Sequence, residues 1–492
     1  MPKSIVVGVV LAAPILAFVA CSSKTRVPAV VGVEDSGGAA LGPVPAPASA
    51  SVAVKGPVTF HKDIEPLLQR SCQSCHSPGK IASFPLVTYA DAKDMAPLMA
   101  DMTTSRKMPP WGAHETSECK PRFPWKDDLR LTAAHIATFK AWSEQGAPEG
   151  DSKDSAHLRL VKAPPMDLIG ANTLAPRKPY SLKKKAVDAI RCFVMDPKLT
   201  KTTYMTASHF VPKNRTIVHH ALAFAIPAGA ATPGGADDEY DCPGGPRVPG
   251  ASLIAAWAPG GVPSRYPEDV ALPLEAGAKI VMQVHYHPHA RATSEADRTT
   301  FQYATTDKVP AYVVEARLIG NFRAQILPGI GLMPGPADGD SGAEFRVPRG
   351  AKRHTETMAF TMPPFFNGQT IGKMRILNVG AHMHIVGVDE KISIVRAQAS
   401  PGQPAEECLL QEPQWSFDWQ RAYQYDAPIE TLPIIAPGDK LEMRCTYDNT
   451  MGNLKLKAAL AEKGKREPED VHLGEETLDE MCLAAISFVR PR

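Results

Sequence analysis

Two groups of side chains in this 492-residue chain have the types and spacing that chemistry needs. The first is Cys72-Gln73-Ser74-Cys75-His76. In a C-x-x-C-H run the two thiols can form thioethers to haem vinyl groups while the adjacent imidazole binds the iron. A zinc half-site or a redox dithiol would use the same cysteines, but zinc needs a second ligand pair and a dithiol has no use for the histidine. One covalent haem c is therefore expected on Cys72, Cys75 and His76. The other face of the iron needs a ligand too. Met108, in Arg106-Lys107-Met108-Pro109-Pro110-Trp111, offers a thioether on a stiff proline segment and is the expected one, with His114 as its rival.

The second group is histidine-rich: His219-His220, His285-Tyr286-His287 and His382-Met383-His384, followed by Met481, in a chain with 15 histidines. A lone buried histidine is usually a satisfied core residue, whereas metal ligands must converge, and strands deliver them by alternation. His382 and His384, two apart, share one face of a strand. His219 and His220 are adjacent and would face opposite sides, so their joint use demands a bulge or a site between two layers. Imidazole suits copper, zinc and iron alike; a thioether added to two imidazoles selects the softer Cu(I), while zinc stays open on spacing alone.

The elements that must position these groups follow from composition and periodicity. The length allows two or three domains. Lys plus Arg number 54 against 52 Asp plus Glu, a net charge of +2, so no basic stripe points to nucleic acid. With 47 prolines, short strands and turns are favoured over long helices. Met1 to Lys3, an apolar run from Ile5 to Ala20, and Cys21-Ser22-Ser23 read as a secretory signal. Ala20-Cys21 resembles a bacterial lipoprotein box, with Phe18 where that box usually has Leu, so Cys21 is the expected lipidation site. The run is about 16 residues, at or below what spans a bilayer. The expectation is an exported protein of the bacterial cell envelope, meeting the membrane through its lipid anchor only. Residues 22–58, rich in Ala and Pro, read as a flexible tether. Ile64, Leu67 and Leu68 have helical spacing into Cys72, and Leu131, Ile136, Phe139 and Trp142 mark a second helix stopped by Gly146 and Pro148. From about Pro164, β-type runs at Thr216–Ile226, Lys279–Tyr286, Lys373–Val379, Lys391–Val395 and Leu441–Tyr447 read as one or two β-sandwiches. Leu327 to Gly350 is the expected boundary region between two halves.

Two resemblances refine this. Residues 59–151 resemble a widespread bacterial cytochrome c module: Asp63-Ile64 with Pro66-Leu67-Leu68 before the C-x-x-C-H, then Met108-Pro109-Pro110-Trp111, then a final helix ending Gly146-Ala147-Pro148-Glu149-Gly150-Asp151. The last two thirds resemble the type II copper, ascorbate-dependent monooxygenases, the family of the peptidylglycine and dopamine hydroxylases. The matching pieces are Thr216 to Phe224, Ala255 to Gly260 around Trp257, Gln283-Val284-His285-Tyr286, His382-Met383-His384 and Asp479-Glu480-Met481-Cys482, in the family's order. The fold implied is a small all-α cytochrome c-like domain (59–151) followed by two all-β jelly-roll sandwiches, 164–326 and 327–492.

On those positions the resemblance implies that His219, His220 and His285 hold one copper, which stores and delivers an electron. His382, His384 and Met481 hold the second, where dioxygen is bound and a substrate C–H bond is broken. His287, His289, His209 and His472 lie near these motifs without matching ligand positions. Electrons would come through the fused haem, from ascorbate or from another donor. The rival reading is a surface lipoprotein that binds copper and haem for electron transfer or metal handling. Six cysteines remain after Cys21, Cys72 and Cys75, which allows 15 pairings. The family implies Cys445 with Cys482; Cys119 is either free or a bridge between domains, and Cys192, Cys242 and Cys408 stay unassigned. Peptidylglycine enzymes grip a peptide carboxylate with an arginine two positions before the H-x-H and with Asn and Tyr after the methionine. Gly380, Leu483 and Ala485 stand there in this chain. Amidated-peptide synthesis is thus not expected. The substrate, a small molecule or a peptide, should be apolar or aromatic at this point.

Overall fold

The computed structural model describes residues 54, 56–78, 80, 82–155, 168, 170–182, 188–235, 238–259, 261–287, 294–320, 330–340, 342–366 and 369–492. The signal segment, Cys21, most of the tether, His289 and part of the 327–350 boundary region lie outside these residues.

A helical segment comes first. A π-turn at Phe60–Ile64 runs into α1 (Glu65–Ser71), which carries Pro66 in its first turn, where no N–H is needed. Helices α2 (Tyr89–Lys93), α3 (Ala96–Thr104) and α4 (Ala133–Glu144) follow. Thr88 caps α2 in a reciprocal box with Asp91, and Thr132 caps α4 in the same way with His135. Gly146, at φ +80°, takes the left-handed conformation just beyond α4. The apolar spacing read from sequence does its work here. Phe60, Ile64, Leu68, Leu86, Phe139 and Trp142 form a core of their own, and the Trp142 indole donates to the Pro148 carbonyl at 3.0 Å. The short helices α2 and α3 escaped the sequence reading because one or two turns carry too little periodicity to register.

The rest is mostly β, as the sandwich reading requires. The strands of five or more residues among those described are β1 (Ala189–Met195), β2 (Thr203–Val211), β3 (Val218–Ile226), β4 (Ser252–Trp257), β5 (Val270–Leu274), β6 (Lys279–Tyr286) and β7 (Thr300–Thr306). After them come β8 (Tyr312–Gly320), β9 (Lys352–Thr361), β10 (Met374–His382), β11 (Gly387–Val395), β12 (Glu406–Glu412), β13 (Lys440–Asp448) and β14 (Leu483–Pro491). One sheet contains β1, β6, β3 and β4 in that order; a second contains β9, β13, β11 and β12. A ten-stranded sheet runs past both, through β7, β2, β5, β8, β14 and β10. Its two parts join at a parallel pairing of β5 with β8, Val270 opposite Tyr312. The halves thus share one backbone sheet and one apolar core, which includes Met282, Val284, Ile376, Val379, Leu441 and Ile486. A helix the sequence reading did not anticipate, α5 (Leu454–Glu462), packs Leu456 and Leu460 onto that core under an Asn453 cap.

Three disulfides close the structure: Cys119–Cys408, Cys192–Cys242 and Cys445–Cys482. The pair implied by resemblance is present. Cys119, left open above, is a bridge between the helical segment and β12.

Candidate metal centre

β3 and β6 pair antiparallel, and their register slips by one residue between Val218 and His220. Val218 faces Tyr286 and His220 faces His285, so His219 is the extra residue of a bulge. This is the irregularity that two adjacent ligands demanded. One ring nitrogen each from His219, His220 and His285 then falls within 4.8 Å of the others. The Nδ1 atoms of His219 and His220 face one another at 3.3 Å, and Nδ1 of His285 is buried without a hydrogen-bond partner. Converging ring nitrogens and an orphaned buried nitrogen are what a cation would satisfy.

Asp188, which the motif reading passed over, orients His285 of this trio. Its Oδ1 accepts from Nε2 of His285 at 2.8 Å, from Nδ1 of His287 at 3.0 Å and from the Thr477 hydroxyl at 3.0 Å. Burial alone would raise its pKa, but the hydrogen bonds and charge of His285 and His287 outweigh that and hold the carboxyl well below its usual range. His287 therefore serves the site through Asp188. His209 lies in β2 and His472 is exposed on a short strand, neither within the trio.

The second set sits where β10 ends. His382 pairs with Leu483 across β10 and β14, which carries the chain toward Met481 as β10 runs on to His384. The His382 Nδ1–H donates to Gln420 Oε1 at 2.7 Å and the His384 Nδ1–H to the Asp479 carbonyl at 3.1 Å, so each ring keeps its Nε2 lone pair free. Glu480, fully buried, accepts the backbone N–H groups of His384, Val386 and Met481, tying the thioether residue to the H-x-H segment. Met481 is buried, and its carbonyl accepts from the Tyr447 hydroxyl at 2.9 Å.

The two sets are in ring contact. His220 and His382 have centroids 6.0 Å apart, and Phe417 stacks on His219 at 4.2 Å while lying perpendicular to His384 at 6.3 Å. Burial, followed by the neighbouring imidazoles, holds His219 and His220 well below the ordinary histidine pKa. Burial also pushes His382 down to about 4 and His384 to about 3. All four are neutral at pH 7, the state in which an imidazole can bind a metal. Three imidazoles beside two more, with Met481 tied through Glu480 to the H-x-H segment, are donor types suited to copper.

At the C-x-x-C-H, Cys72 and Cys75 are not joined in a disulfide. Burial, then the neighbouring Cys75, pushes the Cys72 thiol up to about 12, and burial raises Cys75 too, which is the wrong direction for a reactive dithiol. The His76 Nδ1–H donates to the Phe84 carbonyl at 3.1 Å, leaving the Nε2 lone pair free. Met108 and His114 line one cleft with Trp111, Leu131 and Ile136. The Met108 side chain is 40% exposed, whereas Nε2 of His114 is engaged with the Trp111 carbonyl at 2.9 Å.

Asp188, Phe417, Gln420 and Glu480 are the functional neighbours that sequence reasoning missed. Only Glu480, inside the Asp479-Glu480-Met481-Cys482 match, carried a local signal.

No protein-family model matches the chain, and no curated protein matches it. Similar solved structures include the major capsid protein P2 from bacteriophage PM2, at 8% identity over 65% of this chain and 98% of that one, with a TM-score of 0.24. Another is a peptide-N(4)-(N-acetyl-β-D-glucosaminyl) asparagine amidase, at 10% identity over 65% of this chain and 95% of that one, also at 0.24. Scores this low carry no argument about fold or activity. The functional reading rests on the site itself.

Proposed function

We propose that this chain is an exported copper-dependent monooxygenase with one covalent haem c, anchored through Cys21, that hydroxylates an apolar C–H substrate. The observation that carries the reading is the pairing of two histidine sets, at least half-buried throughout and in ring contact with one another. His219, His220 and His285 would hold one copper, and His382, His384 and Met481 the other. Copper bound there supplies one-electron chemistry and dioxygen activation, one oxygen atom entering the C–H bond and the other leaving as water after two electrons and two protons are taken up.

The protein's own part is positioning. Asp188, Gln420 and the Asp479 carbonyl fix which nitrogen of the His285, His382 and His384 rings is free. Phe417 stacks on His219 and stands perpendicular to His384, limiting water around the rings. Gly380 and Ala485 are directly paired across β10 and β14, as are His382 and Leu483, so these four residues share one face of the sheet. The floor beside His382 is thus small and apolar, which suits an apolar substrate and offers no clamp for a carboxylate. In the helical segment, the cytochrome c-like reading is supported by the independent core, by the orientation of His76 and by thiols unsuited to redox exchange. Met108 remains the proposed second iron ligand. Three disulfides fit an oxidising compartment, and no helix among the described residues is long and apolar enough to cross a membrane.

The deciding experiment is elemental analysis and reduced-haem absorption on protein from an export-competent, cytochrome-maturing host, followed by dioxygen uptake with ascorbate and apolar substrates. Two coppers, one haem and substrate-dependent uptake are expected. Zinc retained after copper loading would overturn the copper assignment. Full loading without uptake on any substrate would leave a metal-binding electron carrier.

A further inference from the structure

The helical segment is fastened to the β part by more than the Cys119–Cys408 disulfide. The Gly112 N–H donates to the Tyr423 hydroxyl at 2.8 Å, the Thr116 hydroxyl to Gln411 Oε1 at 2.7 Å, and Trp125 stacks on Tyr425 at 4.8 Å. Among the hydrogen-bond donors left over within this contact, two are neighbours. Trp111 is 6% exposed, and its indole Nε1 is buried with no acceptor. The Arg421 guanidinium lies 4.6 Å from the centre of the same indole, with its Nε buried and likewise without an acceptor.

Arg421 also lacks an ion pair among the described residues. Asp127 and Asp128 are the carboxylates of the helical segment that act on it: Asp128 is committed to Arg130 at 2.7 Å, Asp127 is exposed and makes no ion pair with Arg421 among the described residues, and burial raises the Glu412 carboxyl. Trp111 thus offers a buried, unfilled N–H, and the half-buried Arg421 over the same indole offers a cation without an ion pair; an anionic acceptor would serve both. Their surroundings say which. Trp111 lines the cleft that holds Met108, and Arg421, together with the exposed Arg215, is among the charges acting on the Cys75 thiol.

We infer that Arg421 and the Trp111 indole receive a carboxylate, a propionate of the haem attached at Cys72 and Cys75. The inference rests on the haem reading above. It makes Arg421 a positioning residue supplied by the β part to a cofactor carried by the helical segment. Because Arg421 follows Gln420, whose side chain holds His382, the carboxylate would be fixed one residue from the partner of a proposed copper ligand.

The test uses the full-length, haem-matured protein and reads the haem midpoint potential together with the propionate modes in the resonance Raman spectrum. Removing a positive charge near the iron favours the ferric state, so Arg421→Gln should lower the potential and shift the propionate modes, while Arg421→Lys should keep the potential near that of the parent. Trp111→Phe keeps the ring stack and deletes only the donor; it should shift the same modes and decides the matter if Arg421→Gln does not fold. Parent-like potential and modes in both Arg421→Gln and Trp111→Phe, with haem and copper content normal, would overturn the inference. Absence of covalent haem from the parent protein would instead overturn the haem reading, and is seen before any variant is made.

Discussion

Three of the proposed imidazole ligands are held by supporting partners, and at different nitrogens, which separates the two sets at the scale of single residues. His285 is gripped at Nε2 by Asp188, whereas His382 and His384 are gripped at Nδ1 by Gln420 and the Asp479 carbonyl. Loss of such a supporting partner typically costs about 10–100-fold in metal affinity. Asp188→Asn should therefore weaken one copper by that factor and leave the other alone, and Gln420→Leu should do the reverse. Chelator competition followed by electron paramagnetic resonance reads each copper in turn. Equal weakening of both coppers by either variant would mean that the cluster binds as one unit. The ligands were legible in the sequence because adjacent or alternate histidines are visible as a pattern. Asp188 and Gln420 were not, since they lie 97 and 38 residues from the histidines they hold, and nothing local marks a side chain whose partner arrives by folding.

At the scale of elements, the informative feature is where the regular pattern breaks. Alternation predicted β3 and β6 well, but a regular β3 would have turned His219 away from His220; the one-residue bulge brings both rings to the same metal position. Similarly β14 carries Leu483 opposite His382, and the Cys445–Cys482 bridge pins the start of that strand to β13. The bridge closes a 37-residue separation, so replacing both cysteines with serine should lower stability by about 4 kcal/mol on the chain-entropy account. Denaturant midpoints measure this. An unchanged midpoint would show that β13 and β14 are held by their sheets alone. The long strands and α4 were readable because many residues repeat one period. The short helices were not, because a turn or two is stabilised by tertiary packing more than by propensity.

At the scale of the molecule, the β halves and the helical segment are coupled through buried polar groups, and this has a pH signature. Burial pushes Glu412 up to about 8, with the Ala381 amide and Arg421 opposing. Its folded pKa lies above the unfolded value of about 4.3, so the folded state binds the extra proton between these values. Stability should fall as pH rises from about 4.5 to about 8, by roughly a few kcal/mol, and level off above. Glu412→Gln should flatten that slope in thermal melts taken across the range. A slope unchanged by the substitution would place the proton elsewhere.

The sequence by itself determined the chemistry on offer: the C-x-x-C-H, the histidine groups and Met481, and the alternating runs that make most of the chain β. These are properties of residue type and short-range spacing, which the local backbone period converts directly into geometry. Tertiary structure alone decided the rest. It set the bulge that turns His219 inward, the contact of His220 with His382 across the two halves, and the sheet that runs through both. It also chose Cys408 as the partner of Cys119 and left Arg421 and Trp111 as neighbouring unfilled donors. Each of these joins residues far apart in the chain through burial and register, and such pairings exist only once the sheets have packed.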